Sequence, residues 1–381
     1  MPSTQAPITV GILFSQTGVT ALVERTQRNA AMVAIEEINA RGGVLGRALE
    51  AIAPDPASQP GRYREQAGRL LAQGVDTVFG CYMSSTRRSV LPVIERHDAL
   101  LFYPTLYEGF EFSRNCVYSG AAPNQNSLWL AQYMLRNHGS RFYFVGSNYV
   151  FPYESNRIMR DLIQNGGGRV VEERYVSLQP DEEEITRVIN EIATHAPVIV
   201  FSTIVGDAAV RFYRAYERKG FDRTKMPICS LTTGEPELQA MGRDAAEGHI
   251  TCAPYFSSVD RSESRRFVEA YRASNGPDTP ISAPTEAAYF QVHLFAEAVT
   301  RAGRTDRESV LAVLPTFTIE APQGPVRIHG DTHHTYLWPR IGQAGADGSF
   351  RIVQTAAAPI RPDPYMIEPD VLDWGRLAVG G

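Results

Sequence analysis

The stretch FGCYMSSTRR, residues 79–88, gathers chemistry-bearing side chains where an apolar run ends. Residues 75–79 read as a strand, Gly80 stops it, and Cys81, Tyr82, Ser84, Ser85 and Thr86 lead into a basic helical pattern. A thiol or hydroxyl so placed is either a nucleophile or part of a cradle that holds a ligand unchanged. A nucleophile needs an adjacent base and a group to orient that base. GCYMS is not the G-x-S-x-G elbow of a hydrolase. A Cys-Glu-Lys hydrolase would need a lysine at a strand end, whereas Lys219 falls at a helix terminus and Lys225 in a turn.

Other strand ends repeat the pattern. Tyr103, Pro104 and Thr105 follow LLF, and Asn148, Tyr149, Val150 and Phe151 follow FVGS. Thr203 and Ile204 follow VFS, and Thr232, Thr233 and Gly234 follow CSL. Taken singly, Ser85, Thr105 and Thr233 read as ordinary caps, and Tyr103 and Tyr149 as ordinary packing. Repetition of hydroxyls and rings at five strand ends favours a cradle for a small neutral polar ligand. Ser84 or Ser85 is expected to N-cap the following helix, whose leading N–H groups can meet a carbonyl or an anion.

Metal and cofactor chemistry find little footing. The four cysteines, Cys81, Cys116, Cys229 and Cys252, lack CxxC spacing and are expected to be small buried apolar residues. His97, His138 and His195 fall at expected helix ends, where partial positive charge is favourable. His333 and His334 are adjacent in a polar turn, without a third ligand at metal-site spacing. Neither a P-loop nor a GxGxxG run occurs, so no catalytic residue, metal or cofactor is assigned. A net charge of −5 argues against direct nucleic-acid binding, and no apolar stretch reaches the ~18 residues that span a bilayer. MPSTQAPITVGILF has no basic n-region and no long apolar h-region, so the chain reads as cytoplasmic, or periplasmic if a leader has been removed.

Along the chain, apolar runs alternate with amphipathic helical patterns. Strands are expected at 8–14, 49–53, 75–80 and 100–104, with helices at 23–38, 61–74 and 85–97 between them. The pattern restarts with helices at 126–139, 153–167, 180–195 and 207–219 and strands at 141–147, 169–178, 197–203 and 226–232. Later pieces are expected at 249–256, helices at 262–274, 284–302 and 306–313, and strand-like segments at 316–320, 325–329, 335–341 and 349–354. At 381 residues two domains are expected. Each is a parallel sheet covered by helices on both faces, with ligands at the carboxyl ends of the strands. EPDVLDWGRLAVGG at the C-terminus reads as a strand or helix remnant in which Trp374 packs.

The motifs GILFSQTGV, ERTQRNAAMVAIEEINARGG, FGCYMSSTRRSVLPVIE, FYPTLYEGFE, GAAPNQNS, YVFPYESN, FSTIVGDA, CSLTTGEPE and APQGPVRI occur in order along the chain. They resemble the amide-sensing (AmiC-like) negative regulators of bacterial aliphatic amidase operons and, less closely, the urea-binding proteins of ABC transporters. The resemblance implies the α/β type I periplasmic-binding-protein fold, two doubly wound parallel-sheet lobes with a hinge cleft. It places residues 1–121 and about 254–326 in the N-terminal lobe, and about 122–253 and 327–381 in the C-terminal lobe. It implies an amide pocket of Tyr82, Ser84, Tyr103, Thr105, Tyr149, Phe151, Thr203, Ile204 and Thr233, with Glu286 and Tyr289 as weaker additions. It also implies a protein partner, an RNA-binding antitermination regulator that amide binding releases, and leaves homo-oligomerisation open. The amide sensors carry YIYP where this chain has YVFP, so Phe151 stands where they have a second tyrosine; the urea binders share the phenylalanine. Three functions follow as expectations: a cytoplasmic amide sensor that is not an enzyme, the solute receptor of an amide or urea importer, and an amidohydrolase using Cys81 or Ser84.

Overall fold

The computed structural model describes residues 6–366, so Trp374 and the tail around it lie outside the described residues. The chain forms two compact units, one of Met1–Leu106, Glu111–Gly120 and Asp260–Tyr336, the other of Tyr107–Phe110, Ala121–Val259 and Leu337–Gly381. Residues 254–259 thus fall in the second unit and 327–336 in the first.

The first segment contributes β1 (Ile8–Leu13), α1 (Ala21–Ala40), β2 (Leu49–Ile52), α2 (Pro60–Ala72), β3 (Thr77–Gly80), α3 (Ser84–Arg96), β4 (Leu100–Tyr103) and β5 (Cys116–Tyr118). The five strands form a parallel sheet in the order β2-β1-β3-β4-β5. The strands are apolar on both faces because helices cover both, as a parallel sheet requires. Strand β5 has three residues, too short for its periodicity to register in the sequence.

The second unit runs through α4 (Pro123–Asn137), β6 (Arg141–Ser147), α5 (Val150–Asn165), β7 (Arg169–Val176), α6 (Glu182–Thr194), β8 (Ile199–Thr203), α7 (Asp207–Lys219), β9 (Ile228–Ser230), α8 (Glu235–Met241), α9 (Arg243–Ala246) and β10 (Ile250–Ala253). Helix boundaries follow local chemistry. The Asp181 side chain accepts from Glu184 N at 2.7 Å to cap α6, whose first turn carries Glu182, Glu183 and Glu184 against the positive end of its dipole. Helix α7 stops where Gly220 turns left-handed at φ 76°. Helices α8 and α9 fall between the expected segments 226–232 and 249–256, where no element was expected.

The chain then adds α10 (Ser262–Asn275), α11 (Ala283–Ala302), α12 (Arg307–Val313), β11 (Ile319–Ala321) and β12 (Gly324–Val326) to the first unit. It finishes with β13 (Arg340–Ala344) and β14 (Phe350–Thr355) in the second. Strand β13 lies beyond most of the expected 335–341 segment, and it pairs antiparallel with β10. The second sheet has the order β14-β13-β10-β9-β8-β6-β7. The α/β fold class agrees with the expectation in each unit.

Aromatic clusters seal each sheet. In the first unit Phe79 of β3 and Phe102 of β4 lie 5.1 Å apart, with Phe295 of α11 edge-on to both. In the second, Phe144 of β6 meets Phe201 of β8 at 5.1 Å. Among the described residues no helix is long and apolar enough to cross a membrane.

Candidate functional site

Each sheet has a point where successive connections leave in opposite directions. In the first unit it lies between β1 and β3, and in the second between β6 and β8. The carboxyl ends of strands at such points form a crevice where ligands bind in doubly wound sheets. Nine of the eleven expected residues occur at or just beyond strand carboxyl ends. Tyr82, Ser84, Tyr103 and Thr105 follow or close β3 and β4, and Tyr149, Phe151, Thr203, Ile204 and Thr233 follow or close β6, β8 and β9.

In the first unit these side chains are buried and interlocked. Tyr103 Oη donates to the Tyr82 carbonyl at 2.7 Å, which holds the β3–α3 loop against the end of β4. Thr105 Oγ1 donates to the Cys81 carbonyl at 3.4 Å and accepts from Gln27 Nε2 at 3.2 Å. Ser84 Oγ accepts from Arg87 Nη1 at 3.3 Å. Arg87 is fully buried, forks onto Glu111 through Nε (2.7 Å) and Nη2 (3.3 Å), and lies 4.8 Å above the Tyr103 ring. A buried guanidinium at this site is therefore compensated within the protein, and it fixes both Ser84 and Tyr103. Sequence reading placed Arg87 merely in a basic helical pattern, because its partner Glu111 lies beyond the next strand.

Neither Ser84 nor Ser85 caps α3. The N-cap is Met83, in extended conformation, and Ser84 is already the first helical residue. The helix thus starts one residue before the position the hydroxyls suggested, after Cys81 has turned left-handed at φ 69°. Cys81 is itself buried, its N–H donates to the Leu13 carbonyl at 3.0 Å, and burial pushes its thiol well above the usual range. A thiol in that state is a poor nucleophile.

The loop after β1, which the sequence reading passed over, supplies a buried network. Glu24 of α1 accepts from Ser15 N at 2.7 Å, Thr20 Oγ1 at 2.6 Å and the Tyr63 phenol. Burial raises its carboxyl above the ordinary value, although those hydrogen bonds pull the other way. The signal available in sequence was a lone glutamate one turn into α1, indistinguishable from a surface residue.

In the second unit Tyr149 is the N-cap of α5, and its ring centroid lies 6.2 Å from that of buried Phe151. Thr203 Oγ1 donates to Asn156 Oδ1 at 2.9 Å, so its lone pairs remain for acceptance. Thr233 Oγ1 lies 3.1 Å from both Ser230 Oγ and the Tyr213 phenol. Ile204 N donates to Ser202 Oγ at 3.4 Å, and its carbonyl accepts from Thr232 Oγ1 at 3.3 Å. Two carboxylates follow the end of β9, of which Glu237 accepts from Gly234 N at 2.9 Å and is raised to about 7 by burial.

Glu286 and Tyr289 are placed differently. Glu286 is fully buried in α11 and accepts from the main-chain N–H (3.1 Å) and side-chain amide (2.9 Å) of Gln323, in the β11–β12 turn. Tyr289 donates to Glu37 at 2.7 Å, on the wall of a cavity of about 510 Å³ whose lining includes none of the strand-end residues. Helix α1 starts at the carboxyl end of β1, and Glu37 lies 16 residues along it, roughly 24 Å away at 1.5 Å per residue. Helical packing of α11 on α1 therefore carries Tyr289 away from the strand ends.

The histidines find structural roles. His97, His138 and His195 are the C-cap residues of α3, α4 and α6. His334 stacks on Tyr118 at 4.2 Å, its Nδ1 lies 2.6 Å from the Thr332 carbonyl, and burial lowers its pKa to about 3. One trio among the described residues, Glu172, Glu191 and His195, has the proximity of metal ligands. Arg174 donates to both carboxylates there, at 2.6 Å to each, so the cation in that cluster is the protein's own.

A family model described as a periplasmic binding protein domain matches residues 8–370. The leucine-, isoleucine-, valine-, threonine-, and alanine-binding protein of Pseudomonas aeruginosa is 23% identical over 329 residues, 83% of this chain and 84% of that protein. A limonene hydroxylase of Geobacillus stearothermophilus is 37% identical over 126 residues, which span 33% of this chain and 23% of that protein. Among solved structures, an R. palustris ABC-transporter solute-binding protein in complex with benzoate superposes with a TM-score of 0.83 at 19% identity, covering 94% of this chain and 98% of the other. LivJ of Streptococcus pneumoniae in complex with isoleucine gives 0.79 at 17% identity, covering 93% and 100%. With two doubly wound sheets and a family match over nearly its whole length, the chain belongs to the periplasmic-binding-protein family, type I.

Proposed function

We propose that the protein is the solute-binding component of an ABC importer and takes a small neutral polar solute of the amide or urea class, held without turnover. The observation that carries the ligand class is the make-up of the strand-end sets. Hydroxyls and rings dominate them, and the buried cation beside them, Arg87, is forked onto Glu111. A neutral solute needs no counter-charge, whereas an amino acid brings two charges that must be matched on desolvation. The residues read as the binding set are Tyr82, Ser84, Tyr103 and Thr105 in the first unit and Tyr149, Phe151, Thr203, Ile204 and Thr233 in the second. The receptor role is supported by family membership and by relatives whose names are those of solute-binding proteins.

A second reading is favoured by the ordered run of motifs resembling the amide sensors. There the same binding event releases an RNA-binding antitermination partner, and the ligand acts only through its differential affinity for two forms of the protein.

Titration calorimetry of the full chain against acetamide, propionamide, urea, leucine and benzoate tests the ligand class. Heat with an amide or urea and none with leucine or benzoate is expected. Binding of leucine or benzoate alone would replace the class. The two roles separate in a pull-down from the native host: a transporter permease captured with ligand supports the receptor, and an RNA-binding protein shed on adding amide supports the sensor.

A further inference from the structure

One end of the Gln27 side-chain amide is satisfied and the other is not. Gln27 lies in the second turn of α1 and is fully buried. Its Nε2 donates to Thr105 Oγ1 at 3.2 Å. Its Oε1 is buried and accepts no hydrogen bond from the described residues. Buried acceptors are almost always met, because an unmet one costs a desolvation penalty that nothing returns. Both ends belong to one planar amide group, so the unmet oxygen sits beside Thr105, at the strand end of β4.

The neighbours do not serve it. Glu24, one turn earlier on the same helix, takes the donors of Ser15, Thr20 and Tyr63. Thr26 turns the other way and shares a 2.7 Å hydrogen bond with Thr285 of α11. Oε1 is thus open to a donor from outside the described residues.

We propose that Gln27 Oε1 accepts an N–H of the bound solute, and is the group by which the site selects a primary amide or urea over a carboxylate of the same shape. The inference rests on the amide-class reading above. Acetamide and acetate share a heavy-atom outline, but acetate has no N–H and would set a charged oxygen against the Gln27 carbonyl oxygen. A site built to hydrogen-bond an N–H rejects an analogue lacking it far more strongly than a pocket rejects a change of size.

The test is calorimetry of the full chain and of Gln27→Met, which keeps the side-chain length and removes the acceptor. Acetamide, urea, acetate, N,N-dimethylacetamide and leucine are titrated into both. The wild type is expected to bind acetamide or urea at least about 100-fold more tightly than acetate or N,N-dimethylacetamide. Gln27→Met is expected to lose roughly tenfold in amide affinity and to narrow the gap to acetate. If Gln27→Met binds acetamide as the wild type does, the Gln27 assignment is overturned and the amide-binding reading stands. Acetate binding as tightly as acetamide to the wild type overturns it equally, and decides the matter even where the variant fails to fold. Binding of leucine alone overturns both this inference and the amide class.

Discussion

Ser84 and Thr105 each carry one hydroxyl into a buried, interlocked set, so removing either has a direct consequence for a small ligand. A four-heavy-atom amide has few contacts to lose. Ser84→Ala or Thr105→Val is expected to weaken acetamide binding roughly tenfold, about one hydrogen bond. Calorimetry checks this, and wild-type affinity in both variants would place the pocket elsewhere. Glu237 supports a prediction in pH. Its folded-state pKa of about 7 lies above the ordinary 4.5, chiefly through burial. Between those values the folded protein keeps a proton that the unfolded chain has released, so its contribution to stability falls as pH rises from about 4.5 to 7. Glu237→Gln should therefore gain on the wild type by roughly 3 kcal/mol between pH 4 and pH 8, read by urea unfolding. His249 works in the opposite sense: burial lowers it from 6.5 to about 3, so its contribution is lost as pH falls through that interval.

At the scale of elements, two glycines in neighbouring parts of the first unit should respond with opposite signs. Gly80 ends β3 where it passes β1, and a Cβ there would lie 2.4 Å from the Leu13 carbonyl oxygen. Gly80→Ala forces apart the two strands that flank the switch point. It is expected to cost roughly 2–4 kcal/mol and to weaken ligand binding as well. Gly68 sits in the middle of α2, where a Cβ meets only Val93 at 3.9 Å. Gly68→Ala should stabilise by about 0.5–1 kcal/mol, because the unfolded chain loses freedom and the helix gains propensity. Thermal unfolding of the two variants reads both effects, and a shared direction would contradict the packing around these strands.

For the whole molecule, ligand size bounds affinity. At the ceiling of about −1.5 kcal/mol per heavy atom, a four-atom amide gains about −6 kcal/mol, a dissociation constant in the tens of micromolar. At 100-fold that concentration, a few millimolar, the ligand should add about 2.7 kcal/mol and raise the unfolding temperature visibly. A nanomolar constant for acetamide would exceed the ceiling and show that a larger solute is the true ligand. The thermal shift reports the folded chain as a whole, so it serves before any residue is changed.

Much of the fold was legible in the amino-acid order because helix and strand periodicity is local. The β/α alternation, the continuous apolar runs of the strands against the 3.6-residue apolar spacing of the helices, and the hydroxyl-rich ends of β3, β4, β6, β8 and β9 are written within windows of a dozen residues. What escaped depends on partners far along the chain. Strand order β2-β1-β3-β4-β5 brings the start of α1, with Glu24 and Gln27, to the carboxyl ends of the strands, where Gln27 meets Thr105. Arg87 reaches across 24 residues to Glu111, and Gln27 across 78 to Thr105. Glu286 is drawn to Gln323, and Tyr289 to Glu37, by the packing of α11. The sequence by itself therefore determined which elements form and which chemistry stands at their ends. The tertiary structure alone decided which of those groups meet, because a buried hydrogen bond forms wherever the fold leaves a donor facing an acceptor, whatever their separation in the chain.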